Sequence, residues 1–247
     1  MPHDTAALDQ AFAGLVAWNW GADTAPLTTI DGAVVAAHAD AALRADLERR
    51  LVAAVTAAGS RGAREEACRR LCRVGSAACV PALAALLPDR ELSHMARFAL
   101  ERIDAPEAGA VLVKAAEELT GDLRIGAISS LAARRDAAGV PALVRLLTAD
   151  AATTAAAATA LGTIATHQAA AALEVAQNAG DPCTPAGAAI ADARLACAEA
   201  LRAKGDREAA LAILRSLAAA AQGKPAARQI ELAATRGLLA CLDSTAS

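Results

Sequence analysis

The sequence predicts an all-α fold built from repeated helical hairpins, and three observations carry that prediction. A phrase recurs: Val80-Pro81-Ala82-Leu83-x-x-Leu86-Leu87 returns sixty residues later as Val140-Pro141-Ala142-Leu143-x-x-Leu146-Leu147. A second phrase, Leu71-x-x-Val74, returns as Leu100-x-x-Ile103 and Leu161-x-x-Ile164, with Leu131 at the matching place. The leucine spacings are 29, 31 and 30, so the sixty-residue echo spans two repeats, and a fixed period of that size marks stacked supersecondary units. Finally, Ala fills 75 of the 247 positions while aromatics make up 2% and Tyr is absent. Ala is the best helix former and loses no side-chain entropy on helix formation. Few segments alternate in the manner of strands.

Taken in order, residues 4–18 predict a first helix with Leu8, Phe12, Leu15 and Val16 on one face. Trp18-Asn19-Trp20-Gly21 and the stretch Ala25–Gly32 follow as the least repetitive part of the chain. The tryptophans have two readings: a hydrophobic cap on the open end of a repeat array, which such arrays need, or a flat ligand platform. Leu43, Leu47, Leu51, Val52 and Val55 place the next helix within 33–58, and Gly59-Ser60-Arg61-Gly62 ends it. Ala63–Val74 completes that pair, and further pairs are expected at about 76–103, 105–135 and 137–166. Asp89, Asp104, Asp136 and Asp150 fall near the turns, where a short carboxylate caps the following helix. Beyond 167 the register loosens. Gly180–Pro185 reads as a breaker, followed by helices of about 20 and 15 residues around Gly205-Asp206 and a last helix near Pro225–Leu242. The tail Asp243–Ser247 is expected to fray.

Net charge is −3 and the pI is near 5.8, which argues against nucleic-acid binding, since phosphate contacts need clustered Lys and Arg. The opening MPHDTAALDQ lacks a basic region followed by an apolar core, so the expectation is a cytoplasmic chain without a signal peptide. Six sparse, uneven cysteines suit a reducing compartment rather than a disulfide scaffold. The uncharged stretch Ala151–Leu173 is long enough to raise a membrane span. Its threonines, His167 and in-register Leu161-x-x-Ile164 favour a soluble helix pair instead.

The phrases RVGSAACVPALAALL and ALGTIATHQAAAAL resemble HEAT-like repeats of the short phycobilisome-lyase type, over about 61–173. There a second helix ends in Ala-Leu-Gly-x-Ile-Gly; the final Gly is Gly75, Asp104, Asp136 and Ala165 in the four copies, so the copies are degenerate. Ala193–Leu217 is similar instead to a tetratricopeptide helix pair, through Ala198-Glu199-Ala200-Leu201, Gly205-Asp206 and Ala209-Ala210, without that repeat's aromatics. The resemblance implies a right-handed α-solenoid of about five to six hairpins. It would comprise capping helices with the Trp-containing loop (1–60), HEAT-like repeats (61–173) and longer tetratricopeptide-like helices (174–247). It also implies a curved scaffold for other macromolecules.

The residues offer little support for an enzyme. HEAT-type hydroxylases bind iron through paired His-Glu motifs, but none of His3, His38, His94 and His167 precedes a Glu. Cys68, Cys72 and Cys79 lie close in sequence without a CxxC or a nearby His, and buried Cys packs as a small hydrophobe. Ser93-His94 are adjacent, and neighbours on a helix do not face each other. No GxSxG, GxGxxG or P-loop pattern occurs. No cofactor or metal is expected. The bilin-lyase analogy leaves a tetrapyrrole or other small-molecule enzyme, or enzyme subunit, as the alternative. It requires a deep pocket near Trp18, Trp20 or His94.

The distinctive charge feature is arginine. Between Arg44 and Arg73 eight Arg face four acids, a balance of +4 in a chain of −3. Arg73 and Arg102 sit 29 apart at equivalent repeat positions and would form a ladder on a concave wall, extended by Arg97, Arg124, Arg134 and Arg135. A like-charged ladder attracts acidic segments. The expected partner-binding set is therefore Arg69, Arg73, His94, Arg97, Arg102 and Arg134, for an acidic segment of another protein, with no nucleic acid and no membrane. The competing reading is a solvated face whose Arg pair with Glu65, Glu66 and Glu101, as in Glu66–Arg70 and Glu65–Arg69.

Overall fold

The computed structural model describes residues 5–57, 59–180 and 184–243. Every regular element among them is helical: α1 (Thr5–Ala17), α2 (Ala25–Ala36), α3 (Ala41–Thr56), α4 (Arg61–Val74), α5 (Val80–Ala84), α6 (Ser93–Leu100), α7 (Pro106–Glu118), α8 (Gly121–Arg134), α9 (Val140–Leu146), α10 (Ala151–Ile164), α11 (His167–Ala179), α12 (Pro185–Ala203), α13 (Arg207–Ala221) and α14 (Arg228–Asp243). The chain divides into two compact units, Met1–Ser130 and Leu131–Ser247, with the division inside α8 and thus within the stretch read from sequence as one block of repeats.

The recurrent phrases take the same local structure. Val80-Pro81 and Val140-Pro141 each open a helix directly after a single 3₁₀ turn, Ala77–Cys79 in one copy and Ala137–Gly139 in the other. Ser76 and Asp136 cap those turns, each accepting the N–H of the residue two further on. Pro is tolerated at this first-turn position because its missing N–H would have no intrahelical partner there. The packing is also periodic. In the first unit α3 touches α5 and α5 touches α7 in one layer, while α4 touches α6 in the other. In the second unit α9 touches α11 and α10 touches α12 in the same alternating way. Leu71, Leu100 and Leu161 are fully buried, as their repeat register requires.

Buried alanines set the layer spacing. Ala63 and Ala67 of α4 and Ala96 and Ala99 of α6 are fully buried, as are Ala157 and Ala158 of α10 and Ala191 of α12. Gly162 marks the closest approach: a Cβ there would lie 2.6 Å from the Ala193 carbonyl oxygen of α12. Leu47, Leu51, Leu71, Leu83, Leu100 and Leu112 fill the space between the layers of the first unit. Leu173, Leu201, Leu214 and Leu217 do the same in the second.

The structure departs from the sequence expectations at several elements. Ala25–Gly32 lies in a helix, α2, with Pro26 in its first turn. The pair expected at 76–103 is short, because α5 ends at Ala84 and α6 begins only at Ser93. Asp89 accepts the N–H groups of Glu91 and Leu92, and Asp150 those of Ala152 and Thr153, but Asp104 does not cap α7, whose first turn follows Ala105 and contains Pro106. The uncharged 151–173 stretch is two helices, broken at Ala165 in the left-handed region and recapped by Thr166. Among the described residues no helix is long and apolar enough to cross a membrane. Asp181, Pro182 and Cys183 of the expected breaker, His3, and the tail after Asp243 lie outside the described residues.

Candidate functional site: the arginine surface of α4 and α6

The α3–α4 pair is held by charges that the sequence presented as a surplus. Arg44 closes the C-terminus of α4, donating to the carbonyls of Val74 and Gly75 at 2.9 and 3.3 Å. Arg49 pairs with Asp46, and Arg50 with both Asp46 and Asp9 at 2.6 Å. Arg64 donates to the Ala57 carbonyl. Arg70 is buried, with 4% of its side chain exposed, and reaches Glu66 at 2.6 Å and Asp31 at 3.0 Å. The expected Glu66–Arg70 pair is present, but Glu65 takes Arg61 at 2.7 Å rather than Arg69. Arg69 turns to Glu66 at 3.4 Å. Seven of the eight arginines between 44 and 73 thus have a hydrogen-bond acceptor; only the exposed Arg73 side chain has none among the described residues.

Arg73, Arg69 and Arg102 all lie near Cys72. All three guanidinium groups act on the half-buried Cys72 thiol, whose pKa is pushed up by burial and drawn back by Arg102, Arg73 and Arg69 in that order. Arg102 is half-exposed, lies over the Phe98 ring at 4.0 Å and approaches Glu101 at 3.8 Å. A cation on an aromatic face is held in place without losing its charge. The expected rungs Arg69 and Arg73, on α4, and Arg102, in the turn after α6, are thus all exposed and all near Cys72.

The remaining expected residues do not extend it. Arg97 is half-buried and points to α8, donating through Nη1 to the Gly126 carbonyl at 3.1 Å and to Ser130 Oγ at 3.4 Å. Gly126 makes room for it: a Cβ there would meet the guanidinium at 2.6 Å. Arg134 belongs to the second unit, is only 12% exposed and lies 3.8 Å from Asp136. Arg124 donates to the Glu117 carbonyl at 3.3 Å. His94 is exposed at the mouth of a separate cavity of about 250 Å³. Arg90, Ser93, His94 and Arg97 line one side of it, and residues 120–123, which open α8, line the other. Ser93 and His94 make no hydrogen bond to each other, since Ser93 Oγ is buried without a partner.

The other candidates resolve as follows. Trp18 is 6% exposed and its indole N–H donates to the Asp23 carbonyl at 3.1 Å, so it serves the core. Trp20 meets it edge to face at 5.4 Å and is 59% exposed. Cys68 and Cys79 are buried thiols whose pKa values burial pushes up to about 12. Among the described residues no group of three His, Cys, Asp or Glu is placed to hold a metal. What sequence reading missed is Glu48. Its buried carboxylate accepts Ser76 N–H at 2.6 Å, Ser76 Oγ at 2.8 and 2.9 Å and Cys79 N–H at 3.2 Å, tying α3 to the turn before α5. The one signal was an acid in line with the buried face of α3, one position after Leu47.

No family model matches the chain, and no curated protein matches it significantly. Solved structures do resemble it. One is the crystal structure of an engineered protein, 23% identical, covering 79% of this chain and 97% of that one with a TM-score of 0.43. A second engineered protein is 21% identical over 94% of this chain and 68% of its own, also at 0.43. Human deoxyhypusine hydroxylase in complex with glycerol is 17% identical over 94% of this chain and 95% of its own, at 0.41. At that distance none of their properties transfers to this chain.

Proposed function

We propose that the chain is a right-handed, HEAT-like α-solenoid that binds an acidic segment of another protein on the surface formed by Arg69, Arg73 and Arg102. The observation that carries the reading is Arg73, an exposed cation that has no acceptor among the described residues in a segment where every other arginine is engaged. Arg102, held over Phe98, supplies a second charge whose position is fixed. Charges of one sign on one face raise the local concentration of an oppositely charged partner and speed its capture. Such a surface needs no catalytic machinery, no cofactor and no membrane, and three cations in a chain of net −3 suit a short acidic segment better than a polyanionic nucleic acid. Its test is capture of a defined Asp/Glu-rich peptide, followed by fluorescence anisotropy across a salt series. Arg73→Glu with Arg102→Glu is expected to abolish the salt-sensitive component while circular dichroism stays unchanged.

The enzyme alternative gains one observation, the cavity at Ser93 and His94. It lacks a nucleophile bonded to a base, since Ser93 Oγ has no hydrogen-bond partner. The cavity is better explained as a place that binds than as a place that reacts.

A further inference from the structure

The region between the N-terminal ends of α6 and α8 contains two polar side chains without their usual counterparts. Arg97 is half-buried, and no carboxylate comes within ion-pairing distance of it among the described residues. Its Nη1 is spent on a neutral carbonyl and a hydroxyl, and its Nε is buried without an acceptor. Glu101, the nearest balancing charge, is engaged by Ser130 Oγ at 2.7 Å. Burial accordingly pulls the Arg97 pKa down. Buried charges are ordinarily paired, so a guanidinium in this state calls for an anion. Ser93, only 2% exposed, lines the same cavity, and its Oγ is buried with no hydrogen-bond partner among the described residues. Buried hydroxyls without partners are rare.

The opposite wall is the start of α8, a helix of 14 residues. Its first N–H groups have no intrahelical partners, and the helix dipole places partial positive charge there. Arg90 and His94 stand exposed at the rim, neither of them in an ion pair among the described residues. One acid, Asp122, also lines the wall. Arg90 and Arg97 outweigh it. The volume of about 250 Å³ falls below the ~300–1,000 Å³ of drug-sized ligand sites, which favours a small anion or a single charged side chain.

We propose that this cavity binds a small oxyanion of the phosphate or sulfate type, held by Arg90, Arg97, Ser93 and the N-terminus of α8. The site does not depend on the acidic-partner reading, because Arg69, Arg73 and Arg102 take no part in it. Isothermal titration of the full chain with inorganic phosphate and with sulfate tests it, in a low-salt chloride buffer. One saturable site for both anions is expected. Arg90→Ala and Ser93→Ala should each weaken it about tenfold, the scale of one charge-assisted hydrogen bond, and Asp122→Asn should tighten it. Arg90 is exposed, so its removal tests the site without threatening the fold. A peptide carrying phosphoserine, compared with its unphosphorylated form and with free phosphate, identifies the source: tighter binding of the phosphopeptide assigns a modified side chain, and equal or weaker binding a free ion. Absence of saturable binding overturns the proposal. So does binding that survives both Arg90→Ala and Ser93→Ala, or an Asp122→Asn variant that binds more weakly.

Discussion

Arg135 and Ala165 end α8 and α10 with φ values of 52° and 50°, in the region that glycine occupies at helix C-termini. A non-glycine residue there costs about 1–2 kcal/mol, and a glycine returns part of that through backbone entropy. Arg135 is exposed. Arg135→Gly is therefore expected to stabilise the protein by about 0.5–1 kcal/mol, read as a higher denaturant midpoint; an unchanged or lower midpoint would show the strain to be absent. A second residue-scale prediction concerns the thiols. Burial holds Cys68 and Cys79 protonated at neutral pH, with pKa values of about 12, and only thiolates react. Native-state alkylation followed by peptide mass spectrometry should label Cys72 ahead of both. Because Arg102 and Arg73 pull the Cys72 pKa down, the Arg73→Glu, Arg102→Glu variant should label Cys72 more slowly. Equal rates would mean that these guanidinium groups do not converge there. Arg97 shows where sequence reading ends. In the sequence it looks like Arg73; what separates them is Gly126, twenty-nine residues later, which leaves room for the Arg97 guanidinium on α8.

At the scale of elements, the repeat phrases were legible because they encode local geometry. A cap residue, one 3₁₀ turn and Val-Pro produce the same start in both copies. Helix lengths were less legible. Nothing in the composition of 76–103 separates a full hairpin from the short α5 and α6, since Ala and Leu favour helix wherever they fall. The Ala25–Gly32 stretch, read from sequence only as the least repetitive part of the chain, is compatible with a helix because Pro26 lies in a first turn. What joins elements across a repeat is Glu48, whose carboxylate gathers Ser76 and Cys79. Glu48→Ala removes the acceptor of the Ser76 N–H and hydroxyl and one of the two acceptors of the buried Cys79 N–H, and should cost about 1–3 kcal/mol by the usual penalty for such losses. Chemical denaturation measures it, and a loss below about 0.5 kcal/mol, the level of an ordinary surface change, would contradict the assigned role.

For the molecule as a whole, charge is distributed more economically than composition suggests. The local +4 between Arg44 and Arg73 is mostly absorbed inside the first unit, by acids, carbonyls and helix ends. What remains around Cys72 is a small set, Arg69 and Arg73 on α4 and Arg102 in the turn after α6, of which Arg69 also reaches Glu66, and the cavity lined by Arg90 and Arg97 uses none of them. The expected ladder is thus shorter than sequence reading placed it, because equivalent repeat positions fix a residue's helix face but not the direction its long side chain takes. The central claim, that this exposed remainder captures an acidic protein segment, is tested most directly by fluorescence anisotropy of an Asp/Glu-rich peptide. The native chain should bind it with an affinity that falls steeply as salt rises. Arg73→Glu with Arg102→Glu should remove that binding at unchanged helicity. Binding by the double variant equal to that of the native chain would contradict the claim.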